Sequence, residues 1–136
     1  MTVSAGGSLR IDFDHLFSFN YDYDGGVVEM SKNGGDWMDI GTSAYNGWIY
    51  GSSNPLYPRR AFTYTSSGVR HVTLTPAVAV GDFVRVRFRI GTDSSYGAYG
   101  WEPDTMTFSG VVETPFSAPA GDSGCTKATI TRLTSS

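Results

Sequence analysis

The sequence predicts an all-β domain: a two-sheet antiparallel β-sandwich with jelly-roll topology. Three observations carry this reading. Val84, Val86, Phe88 and Ile90 alternate strictly with Arg85, Arg87 and Arg89, the period of a strand with one face in a core and one in water. Aromatics make up 14% of the chain, charged residues only 17%, and glycine occurs 17 times, a balance that favours short strands and turns over helices. Turn signals recur roughly every 8–12 residues and mark off about eight to ten strands, the spacing of a two-sheet fold.

Taken in order, Ser8–Tyr23 opens as a long strand. Leu9, Ile11, Phe13, His15, Phe17 and Phe19 share one parity, and Arg10, Asp12 and Asp14 share the other. His15 lies on the apolar parity and reads as a core or edge histidine with a satisfied ring. Asp22 to Gly26 is a turn. Val27–Ile40 is a hairpin, with Val28 and Met30 on one face and Val27 and Glu29 on the other. Its Asn33-Gly34 pair supplies the positive φ values of a tight turn. Gly41–Arg60 has two prolines and no long alternation. It reads as a long excursion with a short strand near Trp48–Tyr50, held by packing or by a ligand.

Ala61–Thr65 and Arg70–Thr75 are short strands, the second with Val72 and Leu74 inward. Gly81-Asp82 turns into the alternating strand, a Trp101-Glu102-Pro103-Asp104 corner follows, and Thr105–Val112 forms another strand. The most regular strands are far apart in sequence and are expected to pair non-locally, as in a jelly roll. Residues 1–116 are read as one module. Residues 117–136 are read as a Pro/Gly/Ser linker ending in a candidate extra strand, Lys127–Leu133.

The net charge of −3, from 10 basic and 13 acidic residues, argues against nucleic acid as a partner. The arginine row reads as a solvated strand face, with Asp12 and Asp14 as candidate cross-strand partners. Cys125 is the one cysteine and has no internal disulfide partner. No apolar run is long enough to span a bilayer as a helix, and none reads as a signal peptide. The Met1-Thr2-Val3 start reads as that of a fragment or a processed segment.

Three separated stretches resemble the secreted jelly-roll modules of bacteria. Tyr23–Ile40, YDGGVVEMSKNGGDWMDI, is similar to their DGG-containing hairpin. Tyr45–Thr63, YNGWIYGSSNPLYPRRAFT, is similar to their "NPL-x-G-R" segment. Val84–Gly110, VRVRFRIGTDSSYGAYGWEPDTMTFSG, is similar to their "RFR-x-GTD…GW-x-[IV]-D-D" ending. Such modules accompany fungalysin-like and immune-inhibitor-like peptidases, subtilisin-like proteases and adhesins, and are similar in fold to MAM and cleaved-adhesin domains. The resemblance covers roughly residues 8–116 and implies an extracellular, secreted or cell-surface setting. Departures are Thr105 in place of a second aspartate, Pro58 in place of a glycine, and only seven residues before Ser8 where the family has a further strand.

The resemblance also implies calcium as a candidate structural ion. A hard cation takes six to eight oxygens. Asp22, Asp24, Glu29, Asp93, Glu102 and Asp104 are the available acids; Asp22, Asp24, Glu102 and Asp104 are the candidate ligands, with Asp24 and Asp104 foremost. Turn capping by the same aspartates is the alternative. A second candidate site is aromatic. Tyr45, Trp48, Tyr50 and Tyr57 lie in the excursion, Tyr96 and Tyr99 after the alternating strand, and aromatic faces can stack on sugar rings. Tyr45, Tyr57, Tyr96 and Tyr99 are expected on the surface and Trp101 in the core.

No nucleophile–base–acid set, carboxylate pair in a cleft or phosphate loop is apparent. The expectation is a non-catalytic extracellular module binding a glycan or protein surface. The alternative is a structural subunit that self-associates by strand exchange at a vacant sheet edge.

Overall fold

The computed structural model describes residues 1–93, 100–113 and 115. Every described element is a strand: β1 (Arg10–Ser18), β2 (Gly25–Lys32), β3 (Trp37–Asp39), β4 (Gly47–Trp48), β5 (Arg60–Ala61), β6 (Arg70–Leu74), β7 (Val84–Gly91) and β8 (Gly100–Ser109). They form two three-stranded antiparallel sheets, β6-β1-β8 and β3-β2-β7, and a two-stranded β4-β5 ribbon. Pairing is non-local, as the sequence implied: β1 lies beside β8, and β2 beside β7.

The core sits between the two larger sheets. Ile11, Phe13, His15 and Phe17 of β1 are all buried. Phe13 meets Phe88 of β7 edge-to-face at 5.2 Å, and Phe88 meets Trp101 of β8 at 5.3 Å. Each fully buried aliphatic or aromatic side chain stabilises by about 1.5–3 kcal/mol. At the β2–β3 turn, Asn33 and Gly34 have φ of 53° and 75°, and the Gly35 N–H donates to the Lys32 carbonyl at 2.9 Å. This is the hairpin that the Asn-Gly pair predicts.

Several details differ from the sequence reading. β2, whose two faces the sequence pattern separates without placing either, is buried on both. The excursion folds back over its outer face: a Cβ at Gly25 would meet Ile49, and one at Gly91 would meet Leu56. Ile90 lies on the core parity of β7 yet is half exposed. The Trp-Glu-Pro-Asp stretch is not a corner but the first half of β8. That strand absorbs one extra residue, since Asp12 pairs Thr107 while Asp14 pairs Asp104, and Thr105 takes φ 49° at the bulge. The lead before Ser8 is also structured: Val3 is buried and bridges Val111, and Thr2 bridges Phe83. The candidate strand Lys127–Leu133 and Cys125 lie outside the described residues.

Candidate functional site

Four large aromatic side chains stand exposed around one groove. Tyr21, Trp48, Tyr50 and Tyr64 are 58%, 48%, 63% and 55% exposed. With Asp22 and Asn46 they line a cavity of about 340 Å³, at the lower end of the range for small-ligand sites. Tyr21 and Tyr64 meet edge-to-face at 5.0 Å.

Three separate chain segments build the groove, and backbone hydrogen bonds lock them together. Asn20–Asp24 is a turn in which the Asn20 carbonyl accepts from the Tyr23 and Asp24 N–H groups. Asp22 takes φ 62°, a left-handed conformation that aspartate tolerates better than most residues. Its carbonyl accepts from Tyr50 at 2.8 Å, which ties the excursion to this turn. The Asn46 amide clasps the backbone of Thr63, donating to its carbonyl at 2.8 Å and accepting from its N–H at 2.9 Å. The Thr63 hydroxyl donates to the Asp24 carbonyl at 2.7 Å and accepts from the Asp22 N–H at 3.2 Å.

Tyr64 has φ +64°. A bulky side chain in the left-handed region costs of order 1–3 kcal/mol and persists only where its surroundings fix it. On one side of Trp48 the Arg60 guanidinium lies 5.6 Å from the ring centroid. Arg60 Nη2 donates to the Tyr45 carbonyl at 3.0 Å, and its buried Nε has no hydrogen-bond partner among the described residues.

The groove gathers Trp48, Tyr50 and Asp22 from the residues singled out in the sequence, and adds Tyr21 and Tyr64. Those two lie in different strand–turn junctions, and no local pattern marks them. Tyr57 is exposed but does not line the groove. Tyr96 and Tyr99 lie outside the described residues. Tyr45 is a correction: it is buried. Its hydroxyl accepts from the Val28 N–H at 2.8 Å and donates to Asp39 at 2.7 Å, and burial pushes its ionisation far up. It pins the excursion to β2. Trp101 packs in the core, as its motif implied.

The four candidate metal ligands do not converge. Asp24 is buried at the head of β2 and accepts from the Asp93 N–H at 3.0 Å, with burial pushing its carboxyl up. Glu102 and Asp104 lie along β8 in the other sheet. Among the described residues no three His, Cys, Asp or Glu side chains form a group that could hold a metal ion.

Two charged networks occupy the outer sheet faces. On β3-β2-β7, buried Glu29 receives Arg87 at 2.8 Å and Arg59 at 2.9 Å, and Arg59 also reaches Asp39 at 2.8 Å. Burial alone would raise the Glu29 carboxyl; the Arg87 and Arg59 hydrogen bonds outweigh it and hold it low. This corrects the expected partners of the arginine row: the balancing acid is Glu29 on the neighbouring strand, not Asp12 or Asp14. Those two serve the other sheet, where His71 Nδ1 lies 2.7 Å from Asp14 and Nε2 3.1 Å from Asp12. The Asp14 and Asp12 hydrogen bonds raise the His71 pKa. Thr73 lies 3.3 Å from the same ring but directs its hydroxyl to Asp12 at 2.6 Å. With carboxylates at both nitrogens, the ring is suited to hold its proton rather than to take one from a nucleophile.

No family model matches this chain, and no curated protein or solved structure gives a match either.

Proposed function

We propose that the chain is a non-catalytic, extracellular glycan-binding module built as a jelly-roll β-sandwich. The observation that carries the binding reading is the groove: four exposed aromatic rings on a floor fixed by hydrogen bonds, one of them held in a strained backbone conformation. Rings set in advance lose little freedom when a ligand arrives. Their faces suit the C–H-rich faces of sugar rings, while the tyrosine hydroxyls and the Asp22 carboxylate suit sugar hydroxyls.

The jelly-roll part of the reading draws on the nested pairing of β1 with β8 and of β2 with β7. The extracellular part draws on the three motifs that resemble secreted modules. The reading requires no metal ion.

An array of neutral oligosaccharides tests it. The wild-type chain should bind a subset of them. Trp48→Ala and Tyr64→Ala should each weaken that binding at least roughly tenfold, since one aromatic stacking contact at a desolvated site is worth more than a kcal/mol. Both variants should keep the wild-type circular dichroism spectrum. A wild-type chain that binds nothing on the array, or variants that bind as well as wild type, would refute the proposal.

A further inference from the structure

The outer face of β3-β2-β7 carries a second, separate feature. Arg85, Arg87 and Arg89 project from alternate positions of β7, so successive guanidiniums leave the strand about 6.6 Å apart. Arg59 joins them from the excursion. Four guanidiniums therefore share this face with two carboxylates, Glu29 and Asp39. The chain as a whole carries a net charge of −3, so this positive excess is local and opposite in sign to the molecule.

The network divides the four into two kinds. Arg59 and Arg87 are locked onto Glu29 by short contacts. Arg89 stands 4.0 Å from the same carboxylate, and Arg85 makes no ion pair among the described residues. Trp37 lies on the same face, with the Arg87 guanidinium 4.1 Å and that of Arg85 5.3 Å from its ring centroid. Stacking on an aromatic ring orients a guanidinium while leaving its N–H edge outward. Arg85, oriented over Trp37, and Arg89, only loosely drawn to Glu29, thus stand in one row with donors to spare.

We infer that this face binds an acidic polysaccharide, with Arg85 and Arg89 each receiving a sulfate or carboxylate group. Guanidinium forks fit both anions in a two-point contact. A duplex nucleic acid is a poorer match: it carries a charge every ~1.7 Å and is held by extended basic surfaces, whereas this row is short and belongs to an acidic molecule. The site does not rest on the aromatic groove: Arg85 and Arg89 stand on β7, which supplies no residue to that groove.

The test is retention on immobilised heparin and on immobilised polygalacturonate, with dextran as neutral control and an oligothymidine strand as competitor. The wild type should be retained on at least one acidic polymer, released by added salt, and should ignore dextran. Which polymer retains it separates sulfate from carboxylate recognition. The Arg85→Ala/Arg89→Ala variant should bind roughly tenfold or more weakly while keeping its thermal midpoint, because Glu29 retains Arg59 and Arg87. Trp48→Ala/Tyr64→Ala should be retained as wild type, so failure here and failure of the groove proposal are separable.

Four results would overturn the inference. They are no retention of the wild type at low salt, unchanged retention of the arginine variant, displacement by oligothymidine at equal charge, and salt-sensitive growth in mass by light scattering in place of polymer binding.

Discussion

The Trp101 indole N–H of β8 donates to Nδ1 of His15 on the neighbouring β1 across 3.0 Å. The bond settles the tautomer of a buried imidazole: Nδ1 is the acceptor, so in the neutral ring the proton sits on Nε2. Around it Phe62 lies 4.5 Å from the His15 ring and 5.8 Å from Trp101. Trp101→Phe keeps an aromatic ring there but removes the donor and part of the packing. The expected cost is about 2 kcal/mol, as for a buried acceptor left unmade, read as a lower urea midpoint at unchanged slope. An unchanged midpoint would show that the bond contributes nothing.

The same burial sets a pH dependence. Desolvation holds the His15 pKa down, to about 4 from 6.5. The folded chain therefore binds fewer protons than the unfolded chain between these values, and stability should fall as pH drops through that window. It should be at full strength above pH 6.5 and lose up to about 3 kcal/mol by pH 4. His71 works in the opposite sense. Its raised pKa adds stability below pH 6.5 that fades as pH rises through the folded value, and because the ring is exposed the effect should be small. Denaturant titrations of His15→Asn and His71→Gln across pH 4–8 separate the two; a pH-independent wild type would contradict both.

Glu29 is a charge buried among guanidiniums. Glu29→Gln keeps the shape but leaves Arg87 without its partner and Arg59 with Asp39 alone. A loss of roughly 2–4 kcal/mol is expected, below the full cost of breaking a buried pair because both arginines reach solvent. Arg87→Ala should cost less, since Arg59 still neutralises Glu29. Equal losses in chemical denaturation would mean that Arg87 acts through packing on Trp37 rather than through charge.

Two glycines separate space from backbone. A Cβ at Gly26 would lie 2.5 Å from the Trp101 ring, whereas at Gly34 it would meet nothing but φ is +75°. Gly26→Ala should cost about 1–3 kcal/mol by overpacking and perturb the near-ultraviolet signal of Trp101. Gly34→Ala should cost about 1 kcal/mol through the turn alone and leave that signal unchanged.

What the sequence made legible was whatever alternates or turns within a few residues. The buried parity of β1, the Asn33-Gly34 hairpin and the core position of His15 all came from local pattern. Relations between distant segments did not. Nothing local marks Glu29 as buried until the excursion is seen lying over β2, and Tyr45 reads as exposed until its hydroxyl is placed against Val28 and Asp39. The groove was half visible: Trp48 and Tyr50 share an aromatic stretch, whereas Tyr21 and Tyr64 reach it only through the pairing of Asn20–Asp24 with Thr63 and Tyr64. Pro103 argued for a corner, because a proline interrupts a central strand; at the rim of a sheet it does not.

That rim position has a consequence for growth of the sheet. Among the described strands β8 lies beside β1 alone, and an unpaired strand edge is a template onto which further chains can add. Here the template is defective. Pro103 has no N–H to offer, and two residues on, Thr105 bulges with its backbone in the left-handed region. An incoming strand would find its ladder broken within the space of three residues. The strand that closes the fold on this side is thereby a poor seed for fibrils, and replacing Pro103 with a β-branched residue is the change that would make it a better one.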